Sequence, residues 1–195
     1  ALAAVFWSGD MGMRIGFGSD IPDRLAQLGV PALAVSSPAL FGSGRDAAFA
    51  LAAVAHSLAD VLRRSGAQRV VLIGFSFGAD VVGASLGRLP PALRARIAQV
   101  VLVGPGPDIG YHANPFGIFY LGLPRADPAR LAASLRGLPL TCVFAAAEAD
   151  SLCREPSLGG ARMIAVPGGH MMLAHRAEVT DAVIRAVLHP PEPLS

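Results

Sequence analysis

The sequence is short of charge and nearly free of cysteine. Only 15% of its 195 residues are Asp, Glu, Lys or Arg, the formal net charge is +2, and the basic residues form no run or stripe. A nucleic acid backbone therefore finds no electrostatic footprint, and nucleic acid is not an expected partner. Mild basicity suits an anionic membrane surface. No apolar run approaches the ~18 residues needed to cross a bilayer, because Gly, Pro, Ser, Asp or Arg breaks each one. No transmembrane segment is expected within the body of the chain. Cys142 and Cys153 make no CxxC pair and have no histidine cluster beside them, which argues against a metal site; no cofactor is expected either. Repeats and linkers are absent, so residues 1–195 read as one domain. The chain opens on a strand-like segment with no charged leader region, so any signal peptide is expected to have been removed or never present.

What the chain has is apolar residues, 53% of the total, arranged as alternating short β-like runs and helical stretches. The expected strands are Ala1 to Ser8, Val30 to Val35, Val70 to Ile73, Val100 to Val103, Leu140 to Ala145 and Arg162 to Val166. Helices are expected from Ser19 or Asp20 to Gly29, Asp46 to Ser65, Phe77 to Leu86, Leu131 to Leu135 and Ala174 to Leu188. Pro90 and Pro91 and a short basic segment, Leu93 to Arg96, follow the third of these helices. Ser36 to Gly44 reads as a loop. Strictly alternating elements predict one mostly parallel α/β sheet of about six strands with helices on both faces, a three-layer arrangement.

The stretch Arg69 to Val82, RVVLIGFSFGADVV, runs from a β-branched segment through Gly74-Phe75-Ser76-Phe77-Gly78 into a helix. This GxSxG in a strand–turn–helix context makes Ser76 a candidate nucleophile, its hydroxyl presented at a helix N-terminus. The backbone N–H of Phe77, with Asp10 and Met11 from the glycine-bearing loop after the first strand, are candidate oxyanion donors. Serine needs a base and an orienting acid. In α/β-hydrolases these follow in the order Ser, Asp or Glu, His, and Ser76, Asp150 and His170 fall that way. Each candidate follows an expected strand. Loops at the carboxyl edge of a parallel sheet converge, so residues this far apart can meet. Asp150 is preferred over Glu148 for its distance beyond the strand, with Glu148 kept as the alternative. His56, one helical turn from Asp60, reads as a surface contact. Asp80, in the first turn of the nucleophile helix, could face a cationic substrate group. The aromatic loop from Gly104 to Pro128, with Tyr111, His112 and Phe116, reads as part lid and part acyl or lipid contact. Cys142 in a strand and Cys153 just beyond it fit either a short disulfide clamp or two buried thiols.

Four segments together, Ser8-Gly9-Asp10, GFSFGAD, Glu148 to Cys153 (EADSLC) and Pro167-Gly168-Gly169-His170, resemble the VirJ family of bacterial virulence proteins and the related C-terminal domain of AcvB. The resemblance spans nearly the whole chain. It implies an α/β-hydrolase fold and hydrolysis of aminoacyl-phosphatidylglycerol on the periplasmic side, with an aminoacylated anionic phospholipid as partner. It also implies secretion and a Cys142–Cys153 disulfide. By position it puts the nucleophile on Ser76, the acid on Asp150 and the base on His170. The family's SGDGGW loop is here SGDMGM, with Met11 and Met13 in the second-glycine and tryptophan places. A general carboxylesterase or thioesterase, and a non-catalytic periplasmic interaction or chaperone protein, are the competing readings.

Overall fold

A computed structural model describes residues 1–14, 17–114 and 127–194. Six strands form the sheet: β1 (Leu2–Trp7), β2 (Ala32–Val35), β3 (Arg69–Phe75), β4 (Ile97–Val103), β5 (Leu140–Ala145) and β6 (Arg162–Val166). Seven α-helices are described among and after them: α1 (Asp20–Gln27), α2 (Ser37–Phe41), α3 (Ala47–Ser65), α4 (Phe77–Leu86), α5 (Pro91–Arg94), α6 (Pro128–Leu135) and α7 (Arg176–Leu188). The strand order is β2-β1-β3-β4-β5-β6, and every pairing is parallel.

The period-two geometry of a strand sends neighbouring side chains to opposite faces, and here each face meets its own core. Trp7, Leu72, Leu102 and Phe144 join Phe41, Leu58, Val81, Leu86 and Leu135 from α2, α3, α4 and α6. Phe6, Ile73, Val101 and Val143 join Ile21 and Leu25 of α1 and Val179, Val183 and Val187 of α7. The four central strands, β1, β3, β4 and β5, are therefore buried on both sides, which is why they read as apolar runs rather than as alternating patterns, while the edge strands β2 and β6 stay partly exposed. Arg176 at the start of α7 donates two-pronged hydrogen bonds to the Asp20 carboxylate at 2.7–3.0 Å, tying α7 to α1.

The segment expected as a loop at Ser36 to Gly44 contains a helix. Ser36 is extended at its N-cap position, Pro38 lies in the first turn, and the five residues Ser37–Phe41 complete one turn before Gly42. A helix this short shows no readable periodicity. Likewise Pro91–Arg94 forms a turn of helix at the expected connector, and α4 ends at Leu86 with Gly87 as its C-cap, ahead of the prolines. The last helix starts at Arg176, after a 3-10 turn at Leu173–His175. His56 is exposed, and Asp60 pairs instead with Arg63 and Arg64.

Cys142 and Cys153 are joined as a disulfide, their Cα atoms 5.7 Å apart. Ala1 and Leu194 lie beside the amino ends of strands. The Ala1 carbonyl accepts from the N–H groups of Gln68 and Arg69, and Leu194 exchanges backbone bonds with Gly137 and Leu138 just before β5. No helix among the described residues is long and apolar enough to cross a membrane.

Candidate active site

Ser76 stands between β3 and α4 with φ 49° and ψ −121°, a region that non-glycine residues enter only at a cost of about 1–3 kcal/mol. Close packing holds it there. A Cβ added to Gly74 would lie 2.5 Å from Ala79 Cα, and one added to Gly78 would lie 2.4 Å from the Trp7 carbonyl oxygen. Glycine at both places lets α4 start directly against the end of β1 and turn the chain within two residues of the serine. The Ser76 N–H donates to the Val103 carbonyl at 2.7 Å, anchoring the turn to β4.

His170 arrives from the loop after β6. Its Nε2 lies 2.8 Å from Ser76 Oγ, and its Nδ1 lies 2.5 Å from Glu148 Oε1. With the proton on Nδ1 donated to Glu148, Nε2 is left to accept the serine proton. The carboxylate that meets His170 is thus Glu148 and not the expected Asp150. Glu148 sits in the tight turn that follows β5, where its N–H donates to the Ala145 carbonyl, and its longer side chain spans the remaining gap to the imidazole. Asp150, two residues further out, is exposed on the cavity rim and affects His170 through its charge. Sequence reasoning missed Arg154. Its guanidinium donates to the carbonyls of Glu148 and Ala146, both at 2.7 Å, and lies 4.9 Å from the Phe144 ring centre, which fixes the acid turn.

The hydrogen bond to Glu148 raises the pKa of His170 above its ordinary value near 6.5; burial opposes this, and the charges of Glu148, Asp10 and Asp150 add to it. Asp80 is held well above the usual carboxylate range. Burial is the main cause, the Gly106 N–H donated to its Oδ1 at 2.9 Å works the other way, and Asp10, Asp108 and Glu148 push it further up.

Ser76 and His170 open into a cavity of about 520 Å³. Asp10, Asp80, Asp108, Glu148 and Asp150 all line it, and among the described residues no arginine does; the sequence has no lysine. The Gly9 to Gly12 loop and Phe77 also line it, so the three expected oxyanion donors border the serine's cavity. As first residue of α4, Phe77 has no intrahelical partner for its N–H. The substrate contacts expected from the aromatic loop divide differently. Tyr111 lines a neighbouring cavity, not this one. His112 does not line it; its Nε2 lies 3.1 Å from the Gly42 carbonyl oxygen beyond α2, a contact that holds the ring on that side. Phe116 lies outside the described residues.

A parallel sheet of this order, carrying a serine on a strand-to-helix elbow with a histidine and a carboxylate on later loops, is the α/β-hydrolase fold. Solved structures agree. Est1E from Butyrivibrio proteoclasticus superposes with a TM-score of 0.68 at 15% identity, covering 96% of this chain and 86% of that one. A thermophilic esterase from Thermogutta terrifontis gives 0.65 at 16% identity, covering 96% and 90%. An extracellular α/β-hydrolase from a Paenibacillus species gives 0.57 at 14% identity, covering 95% and 99%. Within that fold the chain belongs to the VirJ family of bacterial virulence proteins, whose model matches residues 1–189. No curated protein matches it in sequence.

Proposed function

We propose that the chain is a serine ester hydrolase that removes the amino acid from aminoacyl-phosphatidylglycerol. The observation that carries this reading is the placement of the Ser76–His170–Glu148 relay in a cavity walled by carboxylates and, among the described residues, by no arginine. An ordinary fatty acyl ester has no use for such walls, whereas an aminoacyl ester brings an α-ammonium that they would stabilise. Ser76 Oγ attacks the ester carbonyl as its proton passes to His170 Nε2. The N–H of Phe77 and those of the Asp10–Met11 turn take the developing oxyanion. On collapse the C–O bond to the glycerol breaks and His170 returns the proton to the departing oxygen. Water, deprotonated by His170, then releases the free amino acid from Ser76.

Three of the exposed large apolar residues lie at or beside the mouth: Met11 (37% exposed) and Met171 (43%) line it, and Leu173 (43%) is two residues beyond Met171. Apolar residues at the rim of a polar cavity support access to a substrate embedded in a lipid surface. The disulfide supports an oxidising compartment, which the periplasm of this reading would be.

The test is turnover of alanyl- and lysyl-phosphatidylglycerol in vesicles beside short-chain acyl esters and thioesters, with Ser76→Ala as control. Release of the amino acid that depends on Ser76 is the expected result. Turnover of the simple esters alone would replace the lipid reading by a general esterase. Absence of Ser76-dependent fluorophosphonate labelling would leave a non-catalytic binding protein.

A further inference from the structure

Asp80 has a second cavity behind it. This one, of about 570 Å³, shares Asp80 and Gly106 with the catalytic cavity, so the Asp80–Gly106 hydrogen bond stands where the two meet. Its floor follows one face of α4 and the turn beyond it, where Ala79, Asp80, Gly83, Ala84, Gly87 and Arg88 recur at near-helical spacing. At 1.5 Å per residue the floor runs for roughly 12 Å from Asp80 to Arg88. Small side chains keep it open. Arg88 closes its far end, and Arg130 from α6 and Tyr111 stand on the walls.

Both guanidinium groups at the two chambers lie on the far one, which also holds Asp127 and shares Asp80 with the catalytic side. The catalytic side holds carboxylates, and the far side holds two exposed guanidinium groups that bond to no carboxylate among the described residues. Asp127 also lines the far chamber, but its Oδ1 caps α6 by accepting from the N–H groups of Ala129 and Arg130 at 3.1 and 3.2 Å. The positive field of Arg88 is felt by the Tyr111 hydroxyl, where it acts against the upward effect of burial.

We propose that the second cavity is the leaving-group subsite: it takes the alcohol half of the ester, with Arg88 and Arg130 receiving a phosphodiester carried by that alcohol. The inference rests on the reading of Ser76 as nucleophile given above. A substrate cationic in its acyl part and anionic in its alcohol part is then bound in one direction only, because reversal would set ammonium against guanidinium and phosphate against carboxylate. Guanidinium groups suit this task, since their paired N–H donors match two phosphate oxygens even at a wet rim.

The experiment compares the protein with Arg88→Gln, Arg130→Gln and the double variant, all at exposed positions, with melting temperatures measured to confirm folding. The first arm determines kcat and KM on lysyl-phosphatidylglycerol and on the lysyl ester of glycerol, which lacks phosphate. The double variant is expected to lower the preference for the phosphodiester substrate about tenfold, mainly through KM. An unchanged preference overturns the proposal. The second arm measures fluorophosphonate labelling of Ser76 with and without glycerophosphoglycerol, and so does not depend on lipid turnover. Protection that is strong in the parent and lost in the double variant supports the subsite, even if aminoacyl lipids prove not to be substrates. No protection of the parent, or equal protection of both, overturns it.

Discussion

Glu148 and His170 meet at 2.5 Å between Oε1 and Nδ1, and the other carboxylate oxygen, Oε2, is buried without a hydrogen-bond partner among the described residues. The acid is committed to one contact, and that contact sets the imidazole tautomer. Glu148→Gln is expected to lower kcat by about 10³ to 10⁴, the cost of presenting the wrong tautomer to a serine. Asp150→Asn is expected to cost at most about tenfold, through KM, since Asp150 reaches the imidazole only through its field. Steady-state kinetics on one soluble ester separates the two; equal losses would return the acid role to Asp150.

The pH profile follows from the same contact. His170 acts as a base only when neutral, and its pKa is raised above about 6.5 chiefly by the hydrogen bond to Glu148. The acid limb of kcat/KM is therefore expected above pH 6.5, with activity falling as pH drops through the native value. In Glu148→Gln the limb should move downward. For stability the sign is opposite. A raised histidine pKa contributes stability that is fully present below about pH 6.5 and is lost as pH rises through the native value. Urea midpoints across that window, compared between parent and Glu148→Gln, check this.

Asp80 gives the complementary case. Its carboxyl is held above the ordinary range mainly by burial, with Asp10, Asp108 and Glu148 adding to the rise. The folded protein then binds a proton that the unfolded chain has released, so Asp80 makes stability fall as pH rises from about 3.8 through its native pKa. Asp80→Asn, whose amide oxygen can still accept from Gly106, is expected to flatten that part of the curve. The same change should raise KM for cationic acyl groups, which melting curves and kinetics measure separately.

The acid turn lies wholly between Cys142 and Cys153, and the bridge ties its two stems together. Replacing both cysteines by alanine is expected to lower stability by about 2–3 kcal/mol for a loop of this size. It should also reduce kcat, because Glu148 loses one of the restraints on its position. Denaturant titration and turnover of a soluble ester, with and without reductant, test the two effects.

Gly78→Ala should be among the most damaging small substitutions in the chain. The new methyl would sit 2.4 Å from the Trp7 carbonyl oxygen and 2.5 Å from that of Ser8, both of them backbone atoms. A loss of about 3 kcal/mol or more is expected from such overpacking, measured by thermal or urea unfolding.

Much of this arrangement was legible in the residues themselves. β5 and β6 run as expected, the α3 and α4 boundaries agree closely, and Ser76 and His170 lie within hydrogen-bond reach. What escaped was local. Choosing between Glu148 and Asp150 required knowing how tightly the chain turns after Ala145, a matter of two residues and one methylene that spacing does not encode. Arg154 was invisible for a related reason: it acts on backbone carbonyls, which carry no sequence signature. The turns of helix at Ser37–Phe41 and Pro91–Arg94 are too brief for a period to declare itself. The altered SGDMGM segment still borders the catalytic cavity, as its place after β1 required.

Parallel strands give the sheet two unlike edges, and the reacting groups gather at one while Ala1 and Leu194 lie at the other. Ala1 is held beside Gln68 and Arg69 ahead of β3, and Leu194 beside Leu138 ahead of β5. A molecule tethered to a surface at this edge would consequently face outward, its mouth with Met11 and Met171 free to approach a second surface opposite. Immobilised on a bead by an extension at residue 1, it should bridge to vesicles rather than be masked by its own support.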